Sequence, residues 1–173
     1  HTPEGPHPAV VRAVRIMRRV IGDRELSGIQ STTARALHLT IDPLVARMTN
    51  TISFTLQDLR ERWRPCTVYL NVPYSDQQRL RPLSRLIVRQ MLDYMTQHLY
   101  GWRWRFMMLL DEVQTLQRMP AIPMALNFAR GYGLNVVAIT PSLNELDRLY
   151  GPHHAFIEGT HVRIVFTPND PQI

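Results

Sequence analysis

Asp111 and Glu112 close the apolar run Phe106–Leu110 with no turn residue between the run and the charges, and this is where the chain could do chemistry. An apolar run this short predicts a strand buried on both faces, as in a parallel sheet, rather than a free-standing helix. In open α/β sheets ligands bind in the crevice beyond the carboxyl ends of the strands, so the acidic pair would be delivered to a site. One carboxylate there can hold Mg²⁺ directly or through its water, and a second can orient or deprotonate an attacking water, which is the logic of a Walker B strand in a nucleotide hydrolase. A local reading competes: Asp111 as the N-cap of a following helix, with Glu112 favoured in its first turn.

The elements that must position this pair come from a chain of 173 residues with 45% hydrophobic content, enough for one domain with a core or for one domain carrying part of another. Twenty basic residues against 14 acidic ones suit a polyanionic partner such as nucleic acid. All of the basic residues are arginine, which excludes lysine-dependent chemistry within these residues, including the phosphate-gripping lysine of a P-loop. Cys66 is the single cysteine, so no intramolecular disulfide forms; it reads as a small buried apolar residue. No apolar run reaches the ~18 residues of a membrane span, and the residues given read as soluble and cut from something longer. His153, His154 and His161 have no acidic or thiol partner at regular spacing, so they do not predict zinc.

In chain order, the spacing predicts an amphipathic helix over 9–21, with Val10, Val14 and Met17 opposite Arg12, Arg15, Arg18 and Arg19. Further helices are expected over 31–39 and 43–48, and a brief one within 51–64. A strand is expected over 67–72 (TVYLNV), followed by a long crossover helix from Asp76 to about Tyr100 with Pro82 in its first turns. The segment 102–106 (WRWRF) alternates aromatic and arginine. It either stacks bases and follows phosphates, or it enters the strand with its tryptophans packed on a helix. After strand 106–110 come a link over 115–120, a helix over 122–130, a strand over 136–139, a helix over 143–150, a loop over 151–159 and a strand over 161–166. This alternation is that of a parallel, doubly wound α/β sheet. Thr140 and Ser142, at the end of the strand after the acidic pair, have the hydroxyls a γ-phosphate sensor needs, while Ser142 also suits the N-cap of the next helix.

Six segments in order resemble the cytoplasmic nucleotide-binding domain of type IV secretion coupling proteins, the TraG-like ATPases of conjugative transfer. They are Asp42-Pro43-Leu44-Val45 with Phe54–Leu59; TVYLNVPYSDQQRLRPLSRLIVRQ over 67–90; LLDEVQTLQRMP over 109–120; GYGLNVVAI over 131–139; SLNELDRLYG over 142–151; and HVRIVFTPND over 161–170. The resemblance implies a RecA-like P-loop NTPase sheet lacking its P-loop strand over 51–173, and the end of an all-helical insertion domain over 1–50. It implies Asp111 as the Walker B aspartate positioning Mg²⁺, Glu112 as the glutamate activating water, and Arg118 or Arg130 as a subunit-bridging arginine. Pro141 stands where the family commonly has glutamine, leaving Thr140 and Ser142 as the ATP-contacting candidates, and Gln117 replaces a usual glycine.

No GxxxxGK[ST] occurs in the sequence, so this portion would not hydrolyse ATP alone. As a whole the resemblance implies a homo-hexamer at the cytoplasmic face of the bacterial inner membrane, attached through segments outside these residues. It would drive single-stranded DNA with its relaxase, or protein substrates, into the channel proteins of the secretion system. Two alternatives stay open: another hexameric DNA translocase, against which the RLRPL run and the GYG turn argue, and a non-catalytic docking module.

Overall fold

In the computed structural model, which describes residues 8–20, 27–29, 31–32, 34, 42–99 and 101–166, the chain divides into two units, His1–Thr51 and Ile52–Ile173. Proline at a first helical position loses only an N–H that has no partner there, and the helices starting at Pro8 and Pro43 both use it. Helix α1 runs from Pro8 to Val20, with Val10, Val14, Arg12 and Arg15 all exposed. The helix expected over 31–39 is helical at 31, 32 and 34, and its remainder lies outside the described residues. Helix α2, Pro43–Thr49, is capped by Asp42, whose carboxylate accepts from Leu44 N at 2.9 Å.

The second unit opens with a reciprocal cap. Thr55 N donates to Asp58 Oδ2 at 2.7 Å and Asp58 N donates to Thr55 Oγ1 at 3.3 Å, at the start of α3, Asp58–Glu61. The Thr55 bonds hold the Asp58 carboxyl below its ordinary range. A 3₁₀ turn, Tyr74–Asp76, leads into α4, Gln77–Met95, which carries Pro82 inside it. Strand β1, Phe106–Leu110, is followed by a 3₁₀ turn Val113–Leu116 and by α5, Ala121–Phe128. A further 3₁₀ turn, Ala129–Tyr132, ends at Gly133 and gives onto β2, Leu134–Ala138. Helices α6, Leu143–Tyr150, and α7, Ala155–Gly159, complete the unit.

The two strands pair in parallel, Phe106 with Leu134 through Leu110 with Ala138. Met108 and Leu110 point into a core with Leu92, Met95, Ile122, Leu134, Leu146 and Phe156. On the other side Met107 and Leu109 are 65% and 61% exposed. The fold is therefore mixed α/β around a two-stranded parallel sheet, and β1 is buried on one face rather than on both as expected.

One buried cation ties the unit together. Arg60 is completely buried and pairs with no carboxylate among the described residues; its guanidinium donates to Trp104 O and Gly133 O at 3.0 Å each, to Met95 O at 3.3 Å and to Tyr132 O. Burial lowers its pKa from the usual arginine value. Gly133 has φ +68°, and a Cβ there would stand 3.3 Å from Arg60 Nη1, so the turn needs glycine both for conformation and for space.

Four expectations are corrected. Residues 67–72 and 161–166 form no strand: both are irregular and exposed, with Tyr69 88% and Phe166 85% exposed. Their β-branched and aromatic side chains suit a pleated surface, but a strand exists only through a neighbour's backbone, and no ladder partner reaches them among the described residues. The loop expected over 151–159 contains α7, formed where Phe156 turns into the core. Cys66 is exposed, because the strand that was to cover it is absent. The WRWRF segment takes the packing alternative: the Trp102 ring lies 5.8 Å from those of Tyr94 and His98, and Trp104 Nε1 donates to Arg62 O at 2.9 Å.

Candidate functional site

The acidic pair sits outside any helix, in a turn that directly follows β1. Ile139 explains how it is raised. Its N–H donates to Leu110 O at 2.9 Å and its carbonyl accepts from Val113 N at 3.0 Å, so the ladder closes across Asp111 and Glu112 and both acids protrude from the carboxyl edge, exposed. Glu112 has φ 51° and ψ 55°, the left-handed region, which costs a non-glycine residue about 1 kcal/mol or more. Two bonds to the Glu112 carbonyl hold it there, from Thr115 N at 2.9 Å and Thr115 Oγ1 at 2.8 Å.

The segment behind the pair is fastened to two helices. From α4, Arg85 Nη1 donates to Leu116 O at 2.6 Å and to Arg118 O at 3.0 Å. From α6, the Tyr150 hydroxyl accepts from Met119 N at 3.0 Å. Burial raises the Tyr150 pKa above its usual value, against the opposing pull of that bond and of Arg85 and Arg118. Gln117, where the resembling family carries glycine, has φ 58°, so the backbone there keeps a glycine-like conformation with a side chain in place.

A cleft of about 350 Å³ opens beside the turn, lined by Glu112 together with Tyr74, Gln77, Arg81, Pro141 and Glu145. It lies at the carboxyl edge of the parallel pair, where such folds place ligands. Of the residues singled out from sequence, Glu112 lines it. Asp111 is next to Glu112 on the same edge but is not in the lining. Thr140 and Ser142 flank Pro141, which is in the lining, and their hydroxyls are engaged locally: Thr140 Oγ1 donates to Ser142 O at 3.0 Å, and Ser142 Oγ accepts from Asn144 N at 3.1 Å as the cap of α6. Arg118 and Arg130 are exposed and outside the lining.

The cap makes a prediction. Ser142→Ala is expected to cost about 1 kcal/mol of stability through α6. Thermal unfolding of the variant checks it, and an unchanged midpoint would show that the cap contributes nothing.

Arg81 and Glu145 belong to the cleft, and the sequence singled out neither. The signal available was the position of the PYSDQ turn at the start of α4, at the same end of the fold as the acidic pair.

Among the described residues no cluster of three or more histidine, cysteine or acidic side chains could hold a metal ion, and none is needed for Mg²⁺, which keeps several waters and binds through one or two carboxylates plus phosphate. The Arg81 guanidinium and the Glu112 carboxylate line the same cleft, a cation and an acid that fit a phosphate arriving with hydrated Mg²⁺, while Arg81 Nε and Gln114 Oε1 are buried without a hydrogen-bond partner. Among the described residues no helix is long and apolar enough to cross a membrane.

Residues 2–172 match the family described as type IV secretory system conjugative DNA transfer. A relative from Escherichia coli, "Conjugal transfer protein TraG", is 30% identical over 175 residues, covering 94% of this chain and 27% of its own length. "Protein VirD4" from Rhizobium rhizogenes is 32% identical over 140 residues, covering 79% of this chain and 21% of its own. The chain thus spans about a quarter of the length of the curated relatives it matches. No solved structure matches it.

Proposed function

Because the chain belongs to the family of type IV secretion proteins for conjugative DNA transfer, we propose that it is part of a coupling ATPase, residues 51–173 being the Walker B half of a RecA-like nucleotide-binding domain and 1–50 the end of an all-helical insertion. The observation that carries this reading is the two-residue protrusion of Asp111 and Glu112 from the carboxyl edge of a parallel strand pair, beside a polar cleft.

Bound Mg²⁺ and ATP would supply the reactive phosphoryl group and the charge that neutralises it. Asp111 would hold the ion or one of its waters. Glu112 would accept a proton from the attacking water, its carboxylate aimed by the left-handed backbone and the Thr115 bonds to its carbonyl. Thr140 and Ser142 would contact the nucleotide only after exchanging their local bonds. Arg118 and Arg130, both exposed, would be free to reach a neighbouring subunit of a hexamer. The phosphate-cradling loop would come from residues outside this sequence.

The work done would be passage of single-stranded DNA, bound to its relaxase, or of protein substrates into the secretion channel, at the cytoplasmic face of the inner membrane. Hydrolysis of ATP by the full-length protein is expected to require Mg²⁺ and to fall to background in excess EDTA, recovering when Mg²⁺ is restored. Phosphate release at an undiminished rate in EDTA, or no release at all with DNA and relaxase present, would overturn the assignment, and the second result would favour the docking module.

A further inference from the structure

Arg81 stands out in the cleft because no described residue pairs with it. The three cationic side chains nearest to it along α4 are all engaged: Arg79 pairs with Asp76 at 3.0 Å, Arg85 grips two carbonyls, and Arg89 pairs with Asp93 at 2.8 Å. Arg81 makes no hydrogen bond or ion pair with a described residue, although Glu112 and Glu145 line the same cleft, and its Nε is shut off from water without a partner. Leaving a guanidinium without a partner is unfavourable, and an anion entering the cleft would give Arg81 the partner that the described residues do not. Gln114, in the same lining, likewise has a buried side-chain oxygen without a partner.

The signs of the lining narrow the ligand. One guanidinium and two carboxylates do not suit a bare anion, which Glu112 and Glu145 would repel. They suit a phosphate that arrives with a divalent cation and its water: the cation answers the carboxylates, and the guanidinium meets phosphate oxygens through its planar fork. Since Glu112 is read as the residue that activates the attacking water, the phosphate within reach of this lining is the one under attack.

We propose that Arg81 is a nucleotide-binding residue that contacts the terminal phosphate of a metal-chelated nucleoside triphosphate in the cleft it shares with Glu112 and Gln114. The proposal rests on the reading of Glu112 in the section above. Charge-assisted hydrogen bonds of this kind correspond to about ten-fold to a hundred-fold in affinity.

The test titrates full-length protein with a fluorescent non-hydrolysable ATP analogue and with ADP, both with Mg²⁺, for the parent, Arg81→Ala, Arg81→Lys and Glu112→Gln. Arg81→Ala is expected to weaken the triphosphate about ten-fold or more and to shift ADP less than about three-fold. Arg81→Lys should recover only part of the loss, because a single ammonium lacks the fork. An unchanged thermal unfolding midpoint would accompany this, since Arg81 holds no protein partner. Equal affinities for the triphosphate in parent and Arg81→Ala overturn the proposal while leaving the Glu112 reading to stand on its own hydrolysis result. Equal losses for triphosphate and ADP also overturn it, because the contact is then not with the terminal phosphate. A parent that binds neither nucleotide removes the function proposed above together with this inference.

Discussion

Glu112→Gln in the full-length protein is expected to slow ATP hydrolysis about 10²- to 10⁴-fold while ATP binding is kept, the loss that follows when a positioned general base is neutralised. The substitution is nearly isosteric, and the neighbouring bonds are made by the backbone carbonyl of Glu112 rather than by its side chain, so the turn survives the change. Glutamine is no worse than glutamate in the left-handed conformation that residue 112 adopts. The effect therefore belongs to proton transfer and not to folding. Single-turnover hydrolysis beside a binding titration separates the two, and a variant that hydrolyses ATP as fast as the parent would take the water-activating role away from this residue.

The second large effect is structural. Arg60→Met is expected to destabilise the unit containing β1 and β2 by about 3–5 kcal/mol, although methionine fills much of the same apolar volume. Exchanging a buried ion pair for hydrocarbon is often harmless because both charges leave together. Here the acceptors are main-chain carbonyls of Met95, Trp104, Tyr132 and Gly133, which no substitution removes, and each one left buried and unpaired costs about 1–3 kcal/mol. The Gly133 carbonyl would keep one partner, Phe106 N at 3.0 Å; the others lose the guanidinium outright. Arg60→Lys should restore little, since an ammonium cannot span carbonyls arriving from a helix end, a loop and a turn. Hydrogen exchange at Phe106 and along β2 in the full-length protein reads the loss locally, and protection lowered by less than about 1 kcal/mol would show that the clamp is ornamental.

These two residues differ in how visible they were. Glu112 announces itself because a buried strand followed at once by two acids is a local pattern, and the structure does put the pair at the strand's carboxyl edge. Its left-handed backbone is not local: it follows from Ile139 bonding on both sides of the protrusion, some thirty residues away in sequence. In the sequence Arg60 is only one letter of the brief helix expected within 51–64; the convergence of three remote carbonyl-bearing segments is what makes it a core residue. Helix α6 fell on its expected limits because its cap, Ser142, and its terminator, Gly151, directly flank it in sequence. Residues 67–72 and 161–166 carry equally clear β-type side chains, yet composition states a preference and pairing requires a neighbour, so neither becomes a strand among the described residues. Arg81 gives no local signal: it is one of several arginines along the helix expected from Asp76, and only the fold brings the first turns of α4 to the cleft.

The way Ile139 brackets the acidic pair also constrains how such a sequence can drift. Its two bonds admit two residues between Leu110 and Val113 and no other number. Letters can be exchanged at those positions with the scaffold intact, but adding or deleting a single codon would break one of the bonds or throw the following turn out of step. For the scaffold, length and not identity is what heredity must conserve there; the acids themselves answer to the chemistry.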